Sequence, residues 1–436
     1  MFLLYNLLFL LILPGILLYS YFYPLFTHRH RKKLSPRLGL GLKSHGSLRT
    51  QKVIWVHATS VGEVLAAVPL ICAMQEELPA FRIAVSTTTD PGMQIARRKL
   101  ESLDCHFLYL PLDLYIIVRR VVKFVGPSLF ILIESDMWPS LLRCLRKQGA
   151  RTVLVNGRLS DRSFARYLRL RRFSDLTLGT IDIFCMQNEE YALRMQALGI
   201  EETKIRVTGN LKFDQPLLNT VSEEREELIQ ELGWTPPRFT WVAGSTHPGE
   251  EDIILKVYSR LRQRFPELCL ILAPRKPDRF DEVFMLAKLS GWRTARRSQL
   301  PGRRGRPDMV DVLILDTIGE LARFYSLGSF AFLGGSLFPF GGQNPLEAAQ
   351  RGLPVIFGPH MQDFREVAKI LMQSGGGFQA ANETDLFAQV ETWLVAPETR
   401  REQGEKARTA LIVHQGAVAR SMEVIRGLLG AESENP

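Results

Sequence analysis

Residues 55–63 read WVHATSVGE, an apolar run that stops in a histidine, two hydroxyl residues, a glycine and a glutamate. The stretch that follows repeats apolar residues at helical spacing: Val61, Val64, Leu65, Val68 and Cys72. A strand that turns tightly into a helix usually presents backbone amides to a phosphate. Glu63 carries the wrong charge for that. Ser60 and Glu63 stand three apart ahead of the periodic run and so read as a capping box; the alternative is a catalytic carboxylate.

Other apolar runs also end in residues that a core does not need. LIESDMWP leaves Glu134 and Asp136 past one run, NGRLSDRS leaves Asn156 and Arg158, and GNLKFD leaves Asn210, Lys212 and Asp214. Each alone reads as an exposed loop or cap. Together with Glu63 they would converge on one edge of one sheet. The second half differs in kind: Gly244, Ser245 and Thr246 precede a helix as an anion cradle, and Arg275 and Lys276 follow a strand. Ile318, Gly319 and Glu320 follow another strand, and a glycine-rich stretch leads into Asn344 and Glu347. Cations, a phosphate cradle and a carboxylate suited to ribose hydroxyls fit a nucleotide. Neither a Walker lysine motif nor GxGxxG occurs, which argues against a P-loop enzyme and a dinucleotide dehydrogenase.

The elements that must position these residues are short apolar strands alternating with helices. KVIWV, FRIAVSTTT, CHFLYLPL, SLFILIE, RTVLVN, DIFCMQN and KIRVTG form one series; FTWVAGS, LCLILAPR, DVLILD, SFAFLGGS and LPVIFG form another. Continuous apolar strands between helices imply parallel sheets covered on both faces. WVHATSVGE is echoed by WVAGSTHPGEE at 241–251. The reading is two Rossmann-like α/β domains facing across a cleft, at 51–215 and 239–430, joined by a linker at 216–238.

Residues 1–27 carry no charged side chain, and HRHRKK follows at once. That predicts an uncleaved membrane anchor helix at 1–27 and a basic juxtamembrane segment at 28–50, with the globular part on the cytoplasmic face. A segment lying in the interface is the second reading. Five scattered cysteines with no CxxC pair suggest neither disulfides nor a zinc site. The net charge of +10 is concentrated beside the anchor and in 158–172, where six arginines accompany Asp161. Arg162, Arg166 and Arg169 share a helix face, which suits anionic lipid or a phosphorylated acceptor and not nucleic acid. The PGRRGRP run near Arg304 receives no role.

WVHATSVGE, LIESDMWP, NGRLSDRS, GNLKFD, GSTHPGEE, LAPRKPDRF, LDTIGEL, FLGGSLFPFGGQNPLE and FGPHMQDF occur in an order that resembles the 3-deoxy-D-manno-octulosonic acid (Kdo) transferases. The resemblance runs from the anchor to about residue 420. It implies the B-type glycosyltransferase fold, with the acceptor on the first domain and the nucleotide sugar on the second. It also implies inverting, metal-independent transfer of Kdo from CMP-Kdo to a lipid A precursor, with no cofactor, at the inner membrane. Glu63 would then be the general base, and Glu134 and Lys212 would stabilise the transition state. Pro274 with Arg275, Ile318 to Glu320, and Asn344, Pro345, Leu346 and Glu347 would hold CMP, beside Ser245 of the cradle. Lys276 and Gln343 stand where the family commonly has histidine. Similar facing domains also occur in sugar-nucleotide epimerases and lipid A disaccharide synthases, and a membrane-tethered scaffold without turnover is the non-enzymatic alternative.

Overall fold

The computed structural model describes residues 2–26, 34–40, 52–134, 137–214, 221–232, 239–300 and 310–430, with backbone only at 16–26, 34, 171–173 and 176. Asp136, the HRHRKK run and the PGRRGRP run lie outside these ranges. The chain divides into two compact units, residues 1–216 with 414–436 and residues 217–413.

In the first unit every run of the first series is a strand: β1 (Lys52–His57), β2 (Phe81–Thr87), β3 (Cys105–Tyr109), β4 (Pro127–Ile133), β5 (Arg151–Gly157), β6 (Ile183–Met186) and β7 (Ile205–Val207). They form one parallel sheet in the order β3-β2-β1-β4-β5-β6-β7. Alternate residues of a strand face opposite sides. Accordingly Val53 and Trp55 enter one core with Phe130 and Leu154, while Ile54 and Val56 enter another with Ile131 and Val153. Burial on both sides explains why these strands are apolar throughout rather than alternating.

The second unit holds β8 (Phe239–Thr246), β9 (Leu268–Pro274), β10 (Thr294–Arg296), β11 (Val312–Ile314), β12 (Phe330–Leu333), β13 (Val355–Phe357) and β14 (Gly377–Gln379). Its sheet is parallel too, in the order β10-β11-β9-β8-β12-β13-β14. The sequence echo has a structural counterpart. Trp55 packs on Phe130 of the neighbouring strand with ring centroids 5.2 Å apart, and Trp241 packs on Phe330 at 6.0 Å.

Three boundaries differ from expectation. The C-terminal helix Ala417–Gly430 belongs to the first unit, because Met422, Ile425 and Leu429 complete the core formed by Val64 and Leu70. Asp214 fastens its start by accepting from Gly416 N at 2.8 Å and Val418 N at 2.6 Å. The expected linker contains helix Val221–Leu232, which is part of the second unit through Glu224 and its bidentate pair with Arg351, both bonds 2.8 Å. Finally, the N-terminal helix Phe2–Phe26 is continuous through Pro14 and Gly15, but among the described residues no helix is long and apolar enough to cross a membrane. The expected spanning anchor therefore finds no support, and the first turns of that helix are docked on the first unit through Tyr5 and Asn6.

Candidate functional site

In parallel sheets the strand C-termini share one edge, where ligands bind. In the first unit that edge carries Glu63, Glu134, Asn156 and Lys212. Ser60 caps helix Val61–Glu77: its Oγ lies 3.4 Å from the Glu63 amide and 3.0 Å from Glu63 Oε1, while the Thr59 amide donates to Oε2 at 2.7 Å. The capping geometry is thus realised, and the half-buried carboxylate remains at the ligand edge. His57 is fully buried, with Nδ1 2.9 Å from Ser86 Oγ, and serves to join β1 to β2.

Glu134 is the first residue past β4 and takes φ 70°. Its Oε1 lies 3.1 Å from Lys212 Nζ, with the two side chains 16% and 21% exposed. Asn156, buried at the end of β5 with φ 59°, accepts from the Leu211 amide at 3.0 Å. Asn210 in turn accepts from the Lys212 amide at 3.0 Å. Asn156 therefore holds the turn Leu211–Asp214 that delivers Lys212 to Glu134. The helix that begins beside Glu63 packs against the same turn, and Val64 and Leu211 share one core. All three expected catalytic residues are thus brought to one region. Arg162, Arg166 and Arg169 are exposed on helix Asp161–Arg169, which buries no residue.

In the second unit the ends of β11, β9, β8 and β12 form a contiguous row. They carry Ile318–Glu320, Pro274 and Arg275, Ser245, and the loop leading to Asn344–Glu347, respectively. The Arg275 amide donates to the Thr246 carbonyl at 3.0 Å, tying two of these ends together, and Arg275 and Lys276 are exposed. Ser245 takes φ 55°. An internal carboxylate closes the helix start that follows Ser245. Glu250, fully buried, accepts from the amides of His247 at 2.9 Å, Gly335 at 2.7 Å, and Ser336 and Leu337 at 3.0 Å each. These four amides are occupied by the chain's own carboxylate and are distinct from those of Gly244, Ser245 and Thr246, which the sequence suggests as an anion cradle. Burial still raises the pKa of Glu250, against the lowering effect of the four bonds.

Asn344 Oδ1 caps the Leu346 amide at 3.1 Å, and Glu347 is half-buried one residue on. Glu320 is held by Arg297 at 2.8 Å and by Thr317, while Ile318 is 72% exposed next to Gly319 at φ 88°. The loop therefore presents Ile318 and its backbone outward, and the Glu320 carboxylate anchors it. Several residues here carried no sequence expectation. Arg297 is buried, and His247 stacks on Phe340 at 4.4 Å and meets Gln343 at 3.4 Å. Burial, then Arg275, Lys276 and Arg279, lower the His247 pKa and favour a neutral ring. The exposed Ile318, Phe338 and Phe340 offer apolar surface for a flat base. Aromatic residues inside a glycine-rich loop were the available signal.

A family model described as 3-deoxy-D-manno-octulosonic-acid transferase matches residues 32–215. The 3-deoxy-D-manno-octulosonic acid transferase of Haemophilus influenzae is 33% identical over 98% of this chain and 98% of its own. The chain belongs to the Kdo transferase family. The Kdo transferase of Chlamydophila psittaci is 32% identical over 91% of this chain and 89% of its own. Among solved structures, a glycosyltransferase from Rickettsia africae matches with TM-score 0.59 at 12% identity, over 88% of this chain and 100% of that one. A UDP-GlcNAc 2-epimerase from Neisseria meningitidis matches with TM-score 0.58 at 12% identity, over 87% and 100%. These two likenesses concern the fold alone: two parallel α/β domains of the B-type glycosyltransferase class. As a Kdo transferase the chain is a glycosyltransferase, and its polar strand ends acquire a reaction to be read against.

Proposed function

We propose that this transferase moves Kdo from CMP-Kdo to a lipid A precursor, with inversion at the anomeric carbon and without a metal ion, at the cytoplasmic face of the inner membrane. The observation that carries the reading is the grouping of Glu63, Glu134 and Lys212 on one sheet edge of a chain in this family. The acceptor hydroxyl gives its proton to Glu63 as its oxygen bonds to the anomeric carbon. The bond from that carbon to the CMP phosphate breaks, and its electron pair leaves with the phosphate. Positive charge builds on the sugar and negative charge on the leaving group, so a carboxylate and an ammonium 3.1 Å apart can each stabilise one developing charge.

CMP is met by Pro274, Arg275, Ile318 to Glu320, and Asn344 to Glu347. A single phosphate needs one or two cations, which Arg275 and Lys276 supply, and Glu347 can accept from both ribose hydroxyls. The exposed face of Arg162, Arg166 and Arg169 suits the acceptor's phosphates, with Leu168 and Leu170 exposed beside it.

The test is Glu63→Gln. Loss of a general base should lower transfer by about 100- to 10,000-fold while CMP binding persists. A purely capping Glu63 would instead give an active enzyme that is less stable by about 1 kcal/mol. Retention of more than roughly a tenth of wild-type turnover would overturn the assignment.

A further inference from the structure

Helix Val221–Leu232 lies in a segment that the sequence reads as a linker, yet it reaches both sides of the row of strand ends in the second unit. Glu224, Leu228 and Glu231 recur at the four- and three-residue steps that place side chains on one helix face. Leu228 and Leu232 are buried, and the helix packs on the turns Leu321–Phe324 and Tyr325–Leu327. Arg225 adds a bond to the Ser326 carbonyl at 3.2 Å.

Each glutamate of that face reaches a different strand end through an arginine. Glu224 accepts from Nε and Nη2 of Arg351, and Nη1 of the same guanidinium donates to the Glu347 carbonyl at 3.0 Å. The Glu224 and Arg351 side chains are 11% and 6% exposed. Burial, then Glu347, raise the Tyr325 pKa while Arg351 lowers it, so both charges stand close to this buried side chain. Glu231 pairs with the buried Arg297, which also donates to Glu320 at 2.8 Å, and Glu231 Oε2 lies 3.2 Å from Arg323.

Glu320 and Glu347 follow β11 and β12, which are not neighbours, since β9 and β8 stand between them. Three strand spacings separate the two by roughly 14 Å. Glu224 and Glu231 stand about 10 Å apart along their helix, and the arginine arms cover the rest. One rigid helix thus fixes two loops whose strands share no ladder. Buried ion pairs contribute little net stability compared with apolar side chains of similar size, and Leu228 and Leu232 already anchor the helix. What the pairs add is a fixed geometry.

We propose that helix Val221–Leu232 positions the donor site: Glu224 acts through Arg351 on Glu347, and Glu231 acts through Arg297 on the loop 318–320. Neither glutamate touches the nucleotide. The inference rests on the CMP site described above, and its test keeps the two apart.

Calorimetry with CMP compares the full-length wild type with Glu224→Gln, Glu231→Gln, Glu347→Ala and the Glu224→Gln/Glu347→Ala pair, each below its measured melting temperature. Because Glu231 is 40% exposed, Glu231→Gln keeps the test readable should Glu224→Gln fold poorly. Each glutamine variant should weaken CMP binding about three- to tenfold. On top of Glu347→Ala, Glu224→Gln should cost less than about twofold more, because its effect passes through the residue already removed. A glutamate that only stabilises the fold would lower the melting temperature and leave the affinity of the folded protein unchanged. With Glu347→Ala impaired, wild-type affinity in either glutamine variant, or full additivity in the pair, overturns the inference and leaves the CMP site standing. Glu347→Ala that binds CMP like the wild type contradicts the assignment of Glu347 to the nucleotide, a failure of the donor reading that takes the inference with it.

Discussion

Among the described residues, three non-glycine residues hold left-handed backbone: Glu134 at 70°, Asn156 at 59° and Ser245 at 55°. Each conformation costs on the order of 1–2 kcal/mol, and such strain gathers at functional sites. All three lie at the C-terminal ends of strands, Glu134 just past β4 and Asn156 and Ser245 in the last residues of β5 and β8, where the sequence also concentrates polar residues. Their identity was legible; their strain was not, because a glutamate after an apolar run looks the same in any backbone state. The two echoing acids separate most sharply. Glu63 pairs with Thr59 and Ser60, neighbours that a capping motif reveals. Glu250 pairs with amides 85 to 87 residues away, which no local motif can show. Glu250→Gln turns one acceptor of those amides into a donor, so it should lower stability by about 2 kcal/mol or more in denaturant unfolding. Glu63→Gln should leave the unfolding free energy within about 1 kcal/mol of wild type. Equal effects in the two variants would contradict the different work assigned to these acids.

At the scale of elements, every apolar run of the two alternating series proved to be a strand, since two-sided burial writes itself into composition. The edge strands Thr294–Arg296 and Gly377–Gln379 carried no such run and were not foreseen. Nor was the return of Ala417–Gly430 to the first unit, because an apolar stripe states that a helix is buried but not against which core. The docking of the N-terminal helix was hidden for the same reason: Tyr5 and Asn6 stand more than 100 residues from Asp113 and Ser140. That docking predicts a pH signature. Burial pushes the Asp113 carboxyl up from 3.8 to about 6, despite the bonds from Ser140, Leu141 and Tyr5. The folded state therefore holds its proton more tightly than the unfolded chain. This contribution to stability is complete below about pH 4 and is lost as pH rises through about 6. Asp113→Asn should remove that decline from the pH dependence of unfolding; an unchanged profile would show that Asp113 does not titrate in this window.

For the whole molecule, the net charge of +10 left nucleic acid, lipid and acidic substrates open; its clustering at 28–33 and 158–172, with Arg275 and Lys276 at strand ends, favoured lipid and a phosphorylated substrate. The two-domain class followed from alternating strands and helices, and family membership supplied the chemistry that composition could not. Calorimetry with CMP should give the same affinity with and without EDTA. Arg275→Ala and Glu347→Ala should each weaken it about tenfold, in keeping with loss of a charge-assisted bond. Abolition of binding by EDTA, or two variants that bind like wild type, would refute the donor site. The most direct measurement is the mass of the product when the full chain is incubated with CMP-Kdo and a tetra-acylated lipid A precursor. The account predicts a precursor heavier by one or more Kdo residues with wild type and almost none with Glu63→Gln. An unmodified precursor after incubation with folded enzyme that binds CMP would contradict it.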